Sequence, residues 1–249
     1  MILVVDGTNV AHRALAAPSD DPPEVVFVRI VSSAARRHQV TEVVTCWDTP
    51  GFTWRHRLYP LYKKGAKAGF HPVDFLVQKV IQIALQEGWQ ILRAPGYEAD
   101  DLVAYAVSRS ETAWVLSSDR DVWQLVKDNC LVIAHRDMRR LIIDPAWVEA
   151  EVGVPPSQYV DVAALRGDTS DNLPNVPGIG PFWAAKLVRR FGSVFGIYDN
   201  LGYLRPEMAN ALSAHYEQVV LNLALSRLEP PTRELVDATE PKYAPLTRA

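Results

Sequence analysis

Glu98, Asp100 and Asp101 place three carboxylates within four positions, directly after Gly96-Tyr97. Such crowding is repulsive unless a cation answers it, and carboxylate oxygens are the ligands that hard divalent ions take. Neighbours on one helical face lie three or four residues apart, so Glu98 and Asp101 share a face while Asp100 points elsewhere. Taken alone, the cluster also reads as acids complementing the first turn of a helix that buries Leu102, Val103 and Ala106. The same residue type recurs where other apolar runs end. Asp6 ends Ile2-Leu3-Val4-Val5, Asp48 follows Val43-Val44-Thr45-Cys46-Trp47, and Asp119 and Asp121 follow Trp114-Val115-Leu116-Ser117. Asp168 and Asp171 add an Asp-x-x-Asp pair, read as one short helical turn aiming both acids at one edge.

The elements that must position these acids are short β-branched runs alternating with helical periods, a pattern that specifies a parallel sheet. Helices are expected from Glu24 to about His38, from Asp74 to about Glu87, and from the acidic cluster to about Ser110. Gln90-Ile91-Leu92 is a further strand, and Leu131 to Ala134 with Leu141 to Ile143 an edge hairpin. Val122, Leu125 and Val126 continue at helical spacing. In open α/β sheets the site lies beyond the carboxyl ends of the strands, where most of these acids fall. An α/β core over residues 1–160 is expected to precede a helical region over 161–249, ending in a loose tail from Pro230.

Two segments carry the opposite charge. Between Thr49 and Val73 there is no acid, while Arg55, Arg57, Lys63, Lys64 and Lys67 alternate with Trp54, Tyr59, Tyr62 and Phe70. Cations for phosphates and aromatic faces for bases suit a single-stranded nucleic acid. Placed behind Asp48, the segment reads as a gate over the site. Gly178-Ile179-Gly180-Pro181 lets backbone approach a phosphate and then opens a helix whose first N–H groups favour an anion. Lys186, Arg189 and Arg190 follow, with no acid from Asn172 to Tyr198. This is a grip on duplex backbone, reading shape rather than sequence.

The 249 residues are 48% hydrophobic and carry a net charge of −3. Setting aside nine site acids leaves 20 acids against 26 cations, so the rest of the surface attracts polyanions. Cys46 and Cys130 form no C-x-x-C, and no apolar run is long enough to span a bilayer. Met1 leads straight into a strand, so no signal peptide and a cytoplasmic location are expected. Neither G-x-S-x-G nor H-E-x-x-H occurs.

The motifs Val5-Asp6-Gly7, Trp47-Asp48, Tyr62-Lys63, Gly96 to Asp101, Ser118 to Asp121 and Gly167 to Gly180 occur in one order. Together they resemble the structure-specific 5′ nucleases, or flap endonucleases, especially the 5′ nuclease domain of bacterial DNA polymerase I and free-standing bacterial and phage versions. The resemblance runs from Ile2 to about Leu228. It implies a PIN-like, mostly parallel α/β sheet flanked by helices, with an arch over about 49–73. It also implies a helix-three-turn-helix over about 166–192 that grips duplex DNA. By the same resemblance Asp6, Asp48, Glu98 and Asp100 surround a first metal, with Asp101 close by, and Asp119, Asp121, Asp168 and Asp171 a second. Arg13, Tyr62 and Lys63 match positions at the scissile phosphate, and Arg55, Lys64 and Lys67 belong to the arch. At Gly178-Ile179-Gly180 relatives commonly hold a potassium ion between backbone carbonyls and phosphate.

Two Mg²⁺ or Mn²⁺ ions in such a site would activate a water and stabilise the leaving 3′ oxygen. The reading is therefore a monomeric enzyme that cleaves flapped or 5′-ended DNA, serving primer removal and repair beside replication proteins. A catalytically silent binder of branched DNA and a related ribonuclease are the alternatives; intact Asp168 and Asp171 argue against the first, the glycine turn against the second. Two departures from the family pattern stand out. Ala66 occupies the usual arch arginine position, with Lys67 as the substitute, and Phe182-Trp183 stand where relatives have Lys-Thr.

Overall fold

The β-branched runs pair as the periodicity requires, into one seven-stranded sheet of order β6-β5-β4-β1-β2-β3-β7. The computed structural model describes residues 1–64, 72–136 and 139–239. The strands are β1 (Ile2–Asp6), β2 (Glu42–Cys46), β3 (Gln90–Arg93), β4 (Ala113–Leu116), β5 (Cys130–Arg136), β6 (Arg139–Ile143) and β7 (Asp237–Thr239). The five central strands are parallel, and β6 and β7 run antiparallel at the two edges. The fold is thus the mostly parallel α/β sheet expected. The loose tail is corrected: among its described residues, Asp237–Thr239 pair with β3.

Both faces of a parallel sheet must be covered, which is why its strands are apolar without alternation. Leu3, Val5 and Val43 pack under α1 (Gly7–Ala16), α2 (Pro23–Arg37) and, beyond the short α3 (Trp54–Leu58), α4 (Pro72–Gln86). Val4, Val44 and Val115 face α5 (Ala99–Ser108). The same hydrophobic cluster runs on without a break into α6 (Pro145–Val152), α7 (Tyr159–Arg166), α8 (Pro181–Phe191), α9 (Val194–Tyr198), α10 (Pro206–Ala214) and α11 (Tyr216–Ser226). The helical region therefore shares its core with the sheet. After Asp121 the chain forms a 3₁₀ turn (Asp121–Leu125) rather than an α-helix.

A buried charge pair joins three of these parts. Arg55, on α3, is 2% exposed and donates to both oxygens of Asp101, at 2.7 and 2.9 Å. Its remaining N–H groups donate to the carbonyls of Leu225 (2.9 Å) and Arg227 (3.2 Å) at the end of α11 and just beyond it. Asp101 also accepts from the Trp54 indole and the Glu229 backbone. Burial alone would lower the Arg55 pKa; Asp100, Asp101 and Glu98 reverse that and raise it. Arg55 is thereby corrected from a DNA contact to an internal tie between α3, α5 and the end of α11.

Breaking one partner of a buried pair leaves the other charge desolvated and alone. Asp101→Asn should destabilise the metal-free protein by about 3–5 kcal/mol. A denaturant melt in EDTA reads this directly, and an unchanged midpoint would remove the pair from the fold's supports.

Candidate active site

The strands β1, β2 and β4 each hand an acid to the same sheet edge. Asp6, 5% exposed at the end of β1, caps α1 by accepting from Asn9 N–H (3.0 Å) and also accepts from Ser117 Oγ (2.8 Å). Gly7 follows it because nothing larger fits: a Cβ there would lie 2.6 Å from the Trp47 ring. Beyond the end of β2, Asp48 donates its N–H to Thr8 Oγ (3.2 Å) and its carboxylate accepts from Ala99 N–H (2.7 Å). Beyond β4, Asn9 Oδ1 accepts from Ser118 N–H, and Ser117 Oγ accepts from Asp119 N–H. Thr8, Asn9 and Ser117 thus hold the acids in place. Sequence reading passed over them because their types are equally common in ordinary turns.

Two clefts open on this edge and meet at Asn9 and Asp119. One is lined by Asp6, Asp48, Glu98, Asp100 and Lys63, with His12 at its rim. The other is lined by Asp119, Asp121 and Asp168, with Arg120 and Arg166. Asp168 and Asp171 lie on a tight loop rather than a helical turn, closed by reciprocal bonds between Asp168 and Leu173 of 2.9 and 2.7 Å. Asn222, fully buried on α11, seats that loop by donating to the carbonyls of Ala164 and Pro174.

The Tyr62-Lys63 turn bridges the two acid groups. Tyr62 Oη lies 3.1 Å from Glu98 Oε2 and 3.1 Å from Asp171 Oδ2. Lys63 Nζ donates to Glu98 at 3.1 Å and stands 4.0 Å from Asp171. Lys63 holds a left-handed backbone (φ 50°), a conformation that costs on the order of 1–3 kcal/mol and persists only where neighbours impose it. Its N–H donates to the Asp171 carbonyl, and Asn172 donates to the Leu61 carbonyl. Lys64 is exposed beside them; Ala66 and Lys67 lie outside the described residues.

The N-terminal 153 residues match the 5′-3′ exonuclease N-terminal resolvase-like domain, and residues 154–246 match the 5′-3′ exonuclease C-terminal SAM fold. The chain belongs to the 5′-3′ exonuclease family. It is 34% identical to the thermostable DNA polymerase I of Thermus thermophilus and 33% identical to DNA polymerase I of Mycobacterium tuberculosis, each over 91% of this chain. It spans only 28% and 27% of those polymerases. The fold is similar to that of the phage T5 5′-exonuclease solved with zinc (TM-score 0.78, 24% identity, 92% of this chain and 89% of that one). It is also similar to the catalytic core of Rad2 in complex with DNA substrate (TM-score 0.60, 15% identity, 92% and 79%).

In this 5′-3′ exonuclease chain the acids titrate as a crowd. Burial pushes Asp6 up to about 7, opposed by the Asn9 N–H and reinforced by the Asp48 and Asp119 charges. Asp121 is pushed up to about 8 by burial, then by Asp119, Asp171 and Asp168. Asp48, Asp100 and Asp171 are raised, also chiefly by desolvation. Glu98 moves the other way: the Lys63 and Arg55 charges outweigh its burial and lower it. The donors are carboxylate oxygens throughout, which fits hard divalent ions. Among the described residues no three of them converge on a single point, and the Lys63 ammonium supplies positive charge in their midst.

The structure separates the nine expected acids. Eight face the two clefts or the Tyr62-Lys63 turn between them. Asp101 does not, because both its oxygens are taken by Arg55, which corrects its expected place beside the first metal. Arg13 is half-buried on α1, its pKa lowered by burial and by Arg140. In the helical region Ile179 is 1% exposed, so its side chain serves the core and only backbone reaches the surface at that position. Gly178 takes φ +79°, and Gly180 caps α8 with open space around its Cβ position. Lys186, Arg189 and Arg190 lie on α8, all three exposed.

Raised carboxylates make the folded state hold protons that the unfolded chain has released. Their stabilising contribution is complete below the unfolded value near 3.8 and is lost as pH rises through about 7 and about 8. Above about pH 6.5 the histidines no longer oppose the trend. The unfolding temperature in EDTA should therefore fall from about pH 6.5 to about pH 8.5, and Ca²⁺ should raise it more at the upper end. A flat profile would show that the folded state does not hold these protons.

Proposed function

We propose that this chain is a divalent-metal-dependent, structure-specific 5′ nuclease that hydrolyses phosphodiester bonds in flapped or 5′-ended DNA. The observation that carries the reading is the meeting of two carboxylate clefts at one sheet edge, bridged by Tyr62 and Lys63. Asp6, Asp48, Glu98 and Asp100 would hold one Mg²⁺ or Mn²⁺, and Asp119, Asp121, Asp168 and Asp171 a second. When bound, such ions supply Lewis-acid stabilisation and lower the pKa of water at neutral pH.

The overall reaction adds water to phosphorus and breaks the bond to the 3′ oxygen, leaving a 5′-phosphate and a 3′-hydroxyl. The chain's own residues place and stabilise the phosphate. Lys63 is kept protonated: burial lowers its pKa, but Glu98, Asp171 and Asp100 raise it further, so the net shift is upward. Its ammonium would leave Glu98 for a phosphate oxygen as charge grows there. Tyr62, raised by burial and then by Glu98 and Asp171, stays a neutral donor that keeps Lys63 at the seam. The first turn of α8 has no side-chain cap, and its N–H groups with Lys186, Arg189 and Arg190 would hold duplex backbone. Backbone carbonyls of the Gly178 turn would take a potassium ion. The enzyme would work as a monomer in primer removal and repair. Among the described residues no helix is long and apolar enough to cross a membrane.

Lys63→Ala should cost about 2–4 kcal/mol of transition-state stabilisation in single-turnover cleavage of a labelled flap with Mg²⁺, while affinity measured in Ca²⁺ barely moves. Equal rates would remove Lys63 from the reaction. No cleavage by the parent would leave a silent DNA binder.

A Cβ at Gly180 meets nothing within 4 Å and the backbone is allowed (φ −82°), so Gly180→Val should cost the fold no more than a less favourable helix cap. Affinity for a duplex-bearing flap should drop because backbone can no longer approach phosphate closely. Unchanged affinity would place the duplex elsewhere.

A further inference from the structure

Five cationic or titratable bases gather on the sheet face next to β6, and none of them lines either acid cleft. Arg13 comes from α1, Arg37 and His38 from the end of α2, His135 from β5 and Arg140 from β6. His135 and Arg140 are directly opposed in the strand register. His38 lies against the Trp114 ring, centroids 3.9 Å apart. Among the described residues none of the five forms an ion pair with a carboxylate. Three of them keep a side-chain nitrogen shielded from water with no hydrogen-bond partner: His38 Nε2, His135 Nδ1 and Arg140 Nη1. Mutual repulsion is evident throughout. His135 is lowered to about 4 by burial, then by Arg13 and Arg140, and Arg140 is lowered by burial and Arg37.

Unsatisfied buried nitrogens and unanswered like charge are both costly, and one anion relieves both. Arginine forks and imidazole N–H donors match the oxygens of a phosphate. The cluster also shares a wall with the acid clefts. His135 N–H donates to Ser118 Oγ at 3.3 Å, next in sequence to Asp119, and α1 carries both Asn9 and Arg13. We propose that this cluster is a phosphate-binding site, occupied by the backbone of the nucleic-acid strand that leaves the carboxylate clefts along the β6 edge. The assignment of the strand rests on the nuclease reading; the anion chemistry stands on the cluster itself.

The test is an Arg37→Gln/Arg140→Gln variant, neither residue belonging to the cleavage machinery. Affinity is measured in Ca²⁺ against salt, on a flap with a long 5′ arm and on the same junction with none. For the long arm the log–log salt slope should fall by about two units, one for each cation removed. For the arm-free junction, slope and cleavage rate should match the parent. Arg140→Lys in place of Arg140→Gln should restore about one unit. Identical slopes in parent and variant on the long arm would overturn the proposal. Stabilisation of the parent by inorganic phosphate, absent from the variant while both DNA slopes hold, would overturn the strand in favour of a free anion. A parent that binds with the expected slopes but cleaves nothing would sink the nuclease reading alone. The unfolding midpoint of each variant, which should not fall because repulsion is relieved, separates a weakened grip on phosphate from a damaged fold.

Discussion

Repulsion among carboxylates at one edge of a parallel sheet is the constraint around which this molecule is built. Parallel strands leave their carboxyl ends together, so acids placed there are forced into company whatever their distance in sequence. Water relieves exposed acids, but Asp6 and Glu98 are nearly buried. The chain answers with local donors: the Asn9 and Ala99 backbone, Ser117 and the Tyr62-Lys63 turn. These hold the acids in position, Lys63 answering the charge of Glu98, while Asp6 and Asp121 stay raised by burial first and by their neighbouring acids second. A site in that condition favours cations.

Among the described site acids, Asp101 is the one with both oxygens taken by an arginine of the chain. Its bidentate partner Arg55 draws α3 onto α5 and fastens both to the end of α11 and the segment after it. That tie gives the acidic helix start a fixed base from which Glu98 and Asp100 project toward the cleft. It also anchors the root of the basic segment close to the acids, so that Tyr62 and Lys63 reach across to Asp171. The charge pair is therefore a positioning device at two removes from the chemistry. Asn222 does the corresponding work on the other side, with hydrogen bonds in place of charge.

Much of this was legible in the residues. Asp6, Asp48 and Asp119 could be placed at strand ends because short β-branched runs stop abruptly at an acid, and a parallel sheet then fixes where those ends lie. The edge hairpin of β5 and β6 was legible for the same reason. Arg55 was misread as a nucleic-acid contact because it stands in a basic, aromatic segment, and nothing local marks an arginine that turns inward. Asp101 was misread alongside Asp100 because adjacent positions differ by about 100° around a helix, which decides environment only once the packing is known. Val122, Leu125 and Val126 keep helical spacing, yet the chain closes there as a short 3₁₀ turn, which apolar residues three and four apart do not distinguish from an α-helix.

What the sequence determined by itself was the period and the chemistry: apolar runs of strand length, acids at their ends, cations and glycines where acids are absent. Those features act through neighbours a few residues away, so they survive being read in one dimension. Tertiary structure alone decided which charges meet. The bond from Arg55 to Asp101 and the gathering of Arg13, His38, His135 and Arg140 on one face join residues far apart in the chain. Their pairing depends on strand order and helix packing, and these are set by burial summed over the whole core, which no single stretch contains.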